Sequence, residues 1–344
     1  MKPSISVVIP VYNVEPYIEA CIRSVMRQTY QGDMECIIVD DCGTDRSMEI
    51  AEKLIVGYHG PVSFQILRHD YNRGLSAARN TGLDVASKDY VFFIDSDDEL
   101  TADCLERLSE PLNNGIYDII IGKFETQDGI GTFDSQVHGV LRMPHSDQLK
   151  NHEILYSYCN GDWVSMAWNK LYLLSFLRLH KLRFLEGLFH EDELWSLQVA
   201  CLAKSLYAVH QTTYKYRRRK NSLTDTFNKD SYSNANAYCL QVMEMGRFVK
   251  EYGIQDLIVW EIIRSRFYEA LVLIVSSPLL FIRRYRMMRN ALEPIPKVFL
   301  KDMTTHKKRL IRDAHLMLPL FLAPIIEYGF SLSIFSVKKI NKVL

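Results

Sequence analysis

Two aspartates one residue apart, Asp95-Ser96-Asp97, follow the apolar run Tyr90 to Ile94 and lead into Asp98. Carboxylates spaced this way at a strand end can face one point. A hard divalent cation, Mg²⁺ or Mn²⁺, takes such oxygen ligands and shares its remaining positions with phosphate oxygens and water. The same spacing also serves an ordinary turn or helix cap, with Asp98 and Glu99 starting a helix over Thr101 to Leu108. Comparable clusters sit at other breaks in the pattern: Pro10-Val11-Tyr12-Asn13, Asp40-Asp41, and Asn72-Arg73-Gly74-Leu75-Ser76 leading to Arg79 and Asn80. Clusters of this kind converging on one sheet edge form a nucleotide-sized cleft. Further on, His190-Glu191-Asp192 precedes a helical run, and Arg217-Arg218-Arg219-Lys220 is a basic stretch. Acids favour a first helical turn for dipole reasons alone, and a basic stretch is commonly a solvated loop, so both readings stand for each.

The elements needed to carry these residues are legible in the periodicity. Ile5 to Ile9 is a β-branched run ending at Pro10, a buried strand. Pro16 suits the first turn of a helix with apolar positions at Ile18, Cys21, Ile22 and Val25. Cys36 to Val39 is a second strand, followed by Thr44 and Asp45 as caps for a helix bearing Met48, Ala51, Leu54 and Ile55. Val62 to Leu67 reads as a strand, Ser76 to Val85 as a helix and Tyr90 to Ile94 as another strand. This alternation implies an α/β fold, a mostly parallel sheet with helices on both faces, in which ligands bind at the carboxyl ends of the strands. Beyond about residue 150 the segments lengthen and become aromatic-rich, and from about Asn234 the chain reads as mainly helical.

The 344 residues suffice for one large or two modest domains, and 48% hydrophobic with 24% charged residues excludes collagen-like and wholly disordered chains. Basic and acidic residues balance at 41 each, which argues against a nucleic-acid partner. The balance hides an asymmetry: residues 283–344 hold 13 basic and 4 acidic side chains. The 7 cysteines form no Cys-x-x-Cys pair, in keeping with a reducing compartment, and Pro10, Asn13 and Glu15 interrupt any secretory signal. A cytoplasmic location is expected. Ala270 to Ile282 is uncharged but too short to span a bilayer, and Leu316 to Val337 contains Glu327, Pro319 and Pro324. Basic clusters flank both. They fit either a segment lying on an anionic membrane, at the cytoplasmic face of the inner membrane, or a helical domain with a solvated basic face.

Taken in order, Pro10-Val11-Tyr12-Asn13, Ser24 to Gln28, Val39-Asp40-Asp41 with Thr44-Asp45, Asn72-x-Gly74 with Ala77-Ala78-Arg79-Asn80 and Gly82, and Asp95-Ser96-Asp97-Asp98 resemble the family 2 inverting glycosyltransferases of GT-A fold. The likeness covers about the first 110 residues closely. It continues through Trp168-Asn169-Lys170-Leu171-Tyr172, His190-Glu191-Asp192 and Tyr216-Arg217-x-Arg219-x-x-Ser222, which are similar to motifs of bacterial members that build surface polysaccharides. The resemblance implies a nucleotide-sugar half over 1–110, an acceptor half over 111–225 and a helical, basic region over 226–344. It implies a metal-dependent transfer, with Mn²⁺ or Mg²⁺, from a UDP-sugar to a hydroxyl of a saccharide or lipid-linked saccharide. Pro10, Tyr12, Asp41, Asn72, Arg79, Asp95 and Ser96 would surround the donor, and Asp97 with Asp95 the metal. Arg217, Arg219 and Ser222 would meet the diphosphate. Inversion by direct displacement needs a base at the acceptor hydroxyl, and Asp192 is the expected one. Glu191 and Trp168 are expected at the acceptor, although a tryptophan between Ala167 and Leu171 is as often core.

One departure stands out: the family has Asp-Asp-Gly-Ser-Thr-Asp where this chain has Asp40-Asp41-Cys42-Gly43-Thr44-Asp45. A left-handed turn at 42 would strain cysteine unless Gly43 takes over that role. Competing classes lack their signatures. A sugar nucleotidyltransferase or a dinucleotide oxidoreductase opens with a glycine-rich loop after the first strand, and Pro10 to Asn13 contains no glycine. A non-catalytic nucleotide-sugar scaffold is the third alternative, opposed by the presence of Asp95, Asp97 and Asp192.

Overall fold

The computed structural model describes residues 2–126, 143–218, 231–275, 277–295, 313–318, 322–329 and 331. These fall into two compact units, Met1–Gly187 with Glu191–Arg219, and Leu188–His190 with Lys220–Leu344.

The first unit is built on a nine-stranded sheet: β1 Ile5–Val11, β2 Met34–Asp40, β3 Ser63–Arg68, β4 Tyr90–Phe93, β5 Glu99–Leu100, β6 Ile119–Thr126, β7 Gln148–Lys150, β8 Lys170–Leu173 and β9 Ser205–Tyr216. Their order is β3-β2-β1-β4-β8-β6-β9-β5, with β7 added beside β9. The strands β1, β2, β3, β4, β6 and β9 run in one sense and the other three against it, so the sheet is mostly parallel. Strands from both sides of residue 110 belong to this one sheet. β1 lies between β2 and β4, where the order of connection reverses, and this is the place at which a doubly wound sheet opens a crevice.

Among the described residues, seven α-helices accompany the sheet: α1 Ile18–Met26, α2 Ser47–Val56, α3 Leu75–Val85, α4 Cys104–Ser109, α5 His152–Cys159, α6 Leu174–Leu179 and α7 Glu191–Leu202. Side chains alternate across β1, so Ile5, Val7 and Ile9 share one core with Ile18, Cys21, Ile22 and Val25 of α1. Val8 points the other way and meets α3. There Gly82 lets the helix backbone close onto the strand, since a Cβ at 82 would lie 2.4 Å from Val8 Cγ1. Phe93, Phe184 and Trp195 gather into an aromatic cluster, with Phe184 stacked on Trp195 at 4.1 Å and Phe93 edge-on to both. Trp195 belongs to α7, so this cluster fixes the helix that begins with Glu191 and Asp192.

The second unit contains α8 Ser231–Glu251, α9 Leu257–Ile274 and α10 Pro278–Leu292. Asp256 caps α9 by accepting from Ile258 N at 2.9 Å. The uncharged stretch Ala270 to Ile282 is not one segment. It is divided between the end of α9 and the start of α10, with Ala270, Leu271, Ile274 and Phe281 buried and Leu279 exposed. Among the described residues no helix is long and apolar enough to cross a membrane.

The contact at Gly82 gives a direct test of the packing between α3 and β1. Gly82→Ala is expected to destabilise the chain by about 1–3 kcal/mol, because the rigid Val8 side chain must give way within a close-packed core. A denaturation midpoint equal to that of the parent would contradict the contact.

Candidate active site

The loops after β1 and β2 are fastened to each other by side-chain oxygens that accept backbone N–H groups. Asn13 Oδ1 accepts from Thr44 N (2.8 Å), Ser47 Oγ from Val14 N (2.9 Å) and Asp45 Oδ2 from Glu15 N (2.8 Å). Asp45 also accepts from Ser47 N at 3.0 Å, so of the two expected caps it is Asp45 that opens α2. Pro10 is buried in β1 opposite Val39, and Tyr12 stands exposed just beyond the strand.

Asp41 is buried, and its carboxylate accepts from Arg73 N and Gly74 N at 2.8 Å each and from His69 Nδ1 at 2.6 Å. With the Nδ1–H donated to Asp41, His69 Nε2 is left to accept from Thr81 Oγ1 at 2.9 Å. Asp41 therefore shapes the loop on which the exposed Asn72 sits. His69 had no signal in the sequence, since its partner lies 28 positions away. Cys42 adopts φ 59°, and Gly43 does not take the left-handed role. Gly43 is needed instead for close approach, because a Cβ there would lie 3.2 Å from Asn13 N and Oδ1.

After β4 the chain turns through Asp95 to Asp98, with Asp98 N donating to Asp95 O at 3.0 Å. Ser96 and Asp98 are buried. Asp98 starts no helix: Glu99–Leu100 is strand β5, and α4 begins only at Cys104. The Asp98 carboxylate instead accepts from Tyr214 Oη and from Arg217 N, both at 2.7 Å, while Tyr214 Oη accepts from Asp95 N at 3.2 Å. Burial, with Asp97 and Asp95 nearby, raises the Asp98 carboxyl well above the ordinary range. Arg217 returns the tie: its Nε donates to Asp97 O (3.2 Å), its Nη2 pairs with Glu99 (2.6 Å), and its guanidinium lies 5.5 Å from the Tyr17 ring centre. Expected at the diphosphate, Arg217 is engaged in holding the acid turn. Arg219 and Ser222 lie outside the described residues.

Facing this turn is a buried charge cluster. Arg79 projects from the middle of α3, and the next residue, Asn80, exchanges hydrogen bonds with the backbone of Phe184 (Nδ2 to O 2.8 Å, Oδ1 from N 2.9 Å). Phe184 packs on Trp195, so the helix that supplies Arg79 also fixes the position of α7. Arg79 Nη1 reaches Glu191 Oε1 at 2.6 Å and Asp192 Oδ1 at 2.9 Å, and Nη2 reaches Asp95 Oδ1 at 2.8 Å. The arginine side chain is 1% exposed, against 10% for Glu191, 19% for Asp192 and 26% for Asp95. Arg79, expected around the nucleotide, is thus enclosed by carboxylates. Burial alone would lower its pKa, but Asp192, Asp95 and Glu191 override that and keep it charged. Glu191 is raised by burial, with Arg79 opposing. Asp192 is pushed up to about 7, first by burial and then by Glu191 and Asp95, with Arg79 and Lys170 pulling the other way.

Lys170 is the second buried cation, and it was read only as part of a motif. Its Nζ donates to Met166 O and, at 3.5 Å, to Trp168 O, and burial brings it down to about 7. Trp168 forms no open acceptor wall. It is 2% exposed, stacked on Tyr214 at 4.5 Å and on Tyr216 at 5.5 Å, with Phe124 edge-on at 4.8 Å. It stands behind Tyr214 and so supports the Asp95 to Asp98 turn from within.

Among the described residues no three His, Cys, Asp or Glu side chains are grouped to hold a metal. Asp95 and Asp97 still fit a divalent ion by donor chemistry, since two hard carboxylates suffice when phosphate and water complete the shell.

Two outcomes follow from this geometry. Cys42→Gly is expected to stabilise the chain by about 0.5–1 kcal/mol, the left-handed cost of cysteine less the greater unfolded freedom of glycine. An unchanged or lower melting temperature would contradict the strain. The Asp192 carboxyl rises from an ordinary value of 3.8 to about 7 on folding, so the folded chain holds that proton more tightly than the unfolded one. The stability it contributes is full below about pH 4 and fades as pH climbs through 7. Asp192→Asn is therefore expected to melt progressively higher than the parent between pH 5 and 8, and a difference that does not grow with pH counts against the buried, raised carboxyl.

Residues 6–173 match the family model described as Glycosyl transferase family 2. The "Uncharacterized glycosyltransferase EpsJ" of Bacillus subtilis is 34% identical over 232 residues, 65% of this chain and 64% of EpsJ, so the chain spans just under two thirds of that relative. Among solved structures, Staphylococcus aureus TarS 1–349 in complex with UDP superposes with a TM-score of 0.70 at 19% identity, covering 98% of this chain and 92% of that one. The mannosyltransferase PcManGT of Pyrobaculum calidifontis, in complex with GDP-Man and Mn²⁺, superposes at 0.54 with 14% identity, covering 95% and 87%. The family match and the shared architecture agree with the motif order: the chain belongs to glycosyltransferase family 2 and has the GT-A fold.

Proposed function

We propose that the chain transfers a sugar, with inversion, from a UDP-sugar to a hydroxyl of a saccharide or lipid-linked saccharide during synthesis of a bacterial surface polysaccharide. The observation that carries this reading is the partly exposed carboxylate of Asp192, held through the shared Arg79 beside the strand-end Asp95. A carboxyl near neutrality is matched to taking a proton from a hydroxyl at physiological pH. The relatives support the donor class: TarS was solved with UDP, and EpsJ bears the name of a glycosyltransferase.

In this reading Pro10, Tyr12 and Asn72 border the nucleotide, with Asp41 holding the loop that presents Asn72. Asp95 and Asp97 would hold Mn²⁺ or Mg²⁺, which when bound neutralises charge on the departing diphosphate. The ties from Asp98 and Arg217 keep those two acids at the strand end. Asp192 accepts the acceptor proton as oxygen attacks the anomeric carbon, and Glu191 lies alongside it. In the second unit, exposed Leu279, Ile325 and Ile326 accompany exposed Arg283 and Arg286, which supports peripheral contact of 270–344 with an anionic membrane.

Thermal unfolding with UDP, GDP, CDP and TDP, each with and without Mn²⁺, tests the donor class, because a ligand of the folded state alone raises the melting temperature. A metal-dependent shift with UDP is expected. Asp97→Ala should lose that shift, while Asp192→Asn should keep it and lose sugar transfer by about 100-fold or more. Full transfer by Asp192→Asn would end its assignment as base, a shift without transfer would favour the nucleotide-sugar scaffold, and no shift with any nucleotide would count against the donor assignment.

A further inference from the structure

We propose that Arg79 is a positioning residue: it holds the proton-accepting Asp192 in register with the strand-end Asp95, and it does not contact the nucleotide. The proposal rests on the transferase reading above and assigns a role to a residue that the motif order alone places around the donor.

Arg79 leaves a helix interior, so its Cα is fixed, and its guanidinium lies 5.2 Å from the centre of the Phe184 ring. The planar fork then points one way to Asp95 and the other to Glu191 and Asp192. Only arginine can do this, because an ammonium is a point charge without two outward edges. At 1% exposure no face of the guanidinium is left for a diphosphate. The carboxylates, in contrast, keep exposed edges. One cation thus sets the spacing between the acid turn after β4 and the first turn of α7, which are distant in sequence and share no backbone hydrogen bond in the ladder.

The groups facing Asp192 are Arg79, Glu191, Asp95, Lys170 and Tyr172. Arg79 favours the ionised carboxyl and Glu191 opposes it.

The experiment compares the full chain with Arg79→Lys and Glu191→Gln, reading UDP binding by thermal shift and transfer rate from pH 5 to 9. For Arg79→Lys the expected result is UDP affinity within about threefold of the parent and a kcat lower by about 100-fold, the scale of a misplacement near 1 Å. A tenfold loss of UDP affinity with kcat at saturating donor unchanged would make Arg79 a nucleotide contact and overturn the proposal. If Arg79→Lys does not unfold cooperatively, Glu191→Gln, which removes one of the three carboxylates the guanidinium spans, decides: a lower kcat with UDP affinity within about threefold supports the proposal, and a tenfold loss of UDP affinity with kcat unchanged overturns it. Failure of the base assignment is separate, since it shows as retained transfer in Asp192→Asn whatever Arg79 does.

Discussion

A guanidinium buried to 1% exposure holds this site together. An unpaired charge at that depth would cost several kcal/mol, so Arg79 can be buried only where carboxylates reach it. The requirement is mutual. Glu191 and Asp192 begin a helix, Asp95 ends a strand, and each is drawn to the same cation. Three elements that share no ladder hydrogen bond are registered by one side chain, whose own position comes from the contact of Gly82 with Val8 and from the bonds of Asn80 to Phe184.

The neighbouring loops use a related device. Asp41 gathers the N–H groups of Arg73 and Gly74, and Asp98 gathers that of Arg217. A carboxylate accepting backbone donors ties two loops without needing either to be regular. Arg217 closes the second tie in reverse by donating to Asp97 O. Trp168 adds support through its stack on Tyr214. The catalytic edge is thus a set of loops made rigid by buried polar groups over an apolar sheet, where a low local dielectric strengthens every bond.

Much of the first unit was legible because its signals are local. Strand runs, helix spacing and the position of Asp95-Ser96-Asp97 after β4 all depend on neighbours within a few residues. The shortfalls have one physical origin. Asp98 read as a helix cap because its true partners, Tyr214 and Arg217, lie more than a hundred positions away. Arg79 and Trp168 carry the residue types of a ligand contact, and only tertiary burial turns them inward, while the partly exposed Arg217 is paired with Glu99. Cys42 departs from the family residue and itself adopts the left-handed conformation, next to a Gly43 that closely approaches Asn13. Local strain is tolerated where surrounding contacts over-determine the backbone.

The gradient of exposure across the cluster gives a direction to the chemistry. From Arg79 outward through Glu191 to Asp192 and Asp95, accessibility rises from 1% to 10%, 19% and 26%. Ligands therefore arrive from the carboxylate side, and the cation lies behind the acids, never between them and the substrate. Such an order suits transfer. Asp95 and Asp192 keep oxygen edges open, toward the donor and the acceptor in the transfer proposed above, while the charge that makes their crowding tolerable is shielded. Placing the arginine in front would neutralise the acids but block them; removing it would leave carboxyls protonated at the pH where a base is needed. Under the proposed transfer, burying the cation would keep Asp192 available as a base and Asp95 as an oxygen ligand within a single short span.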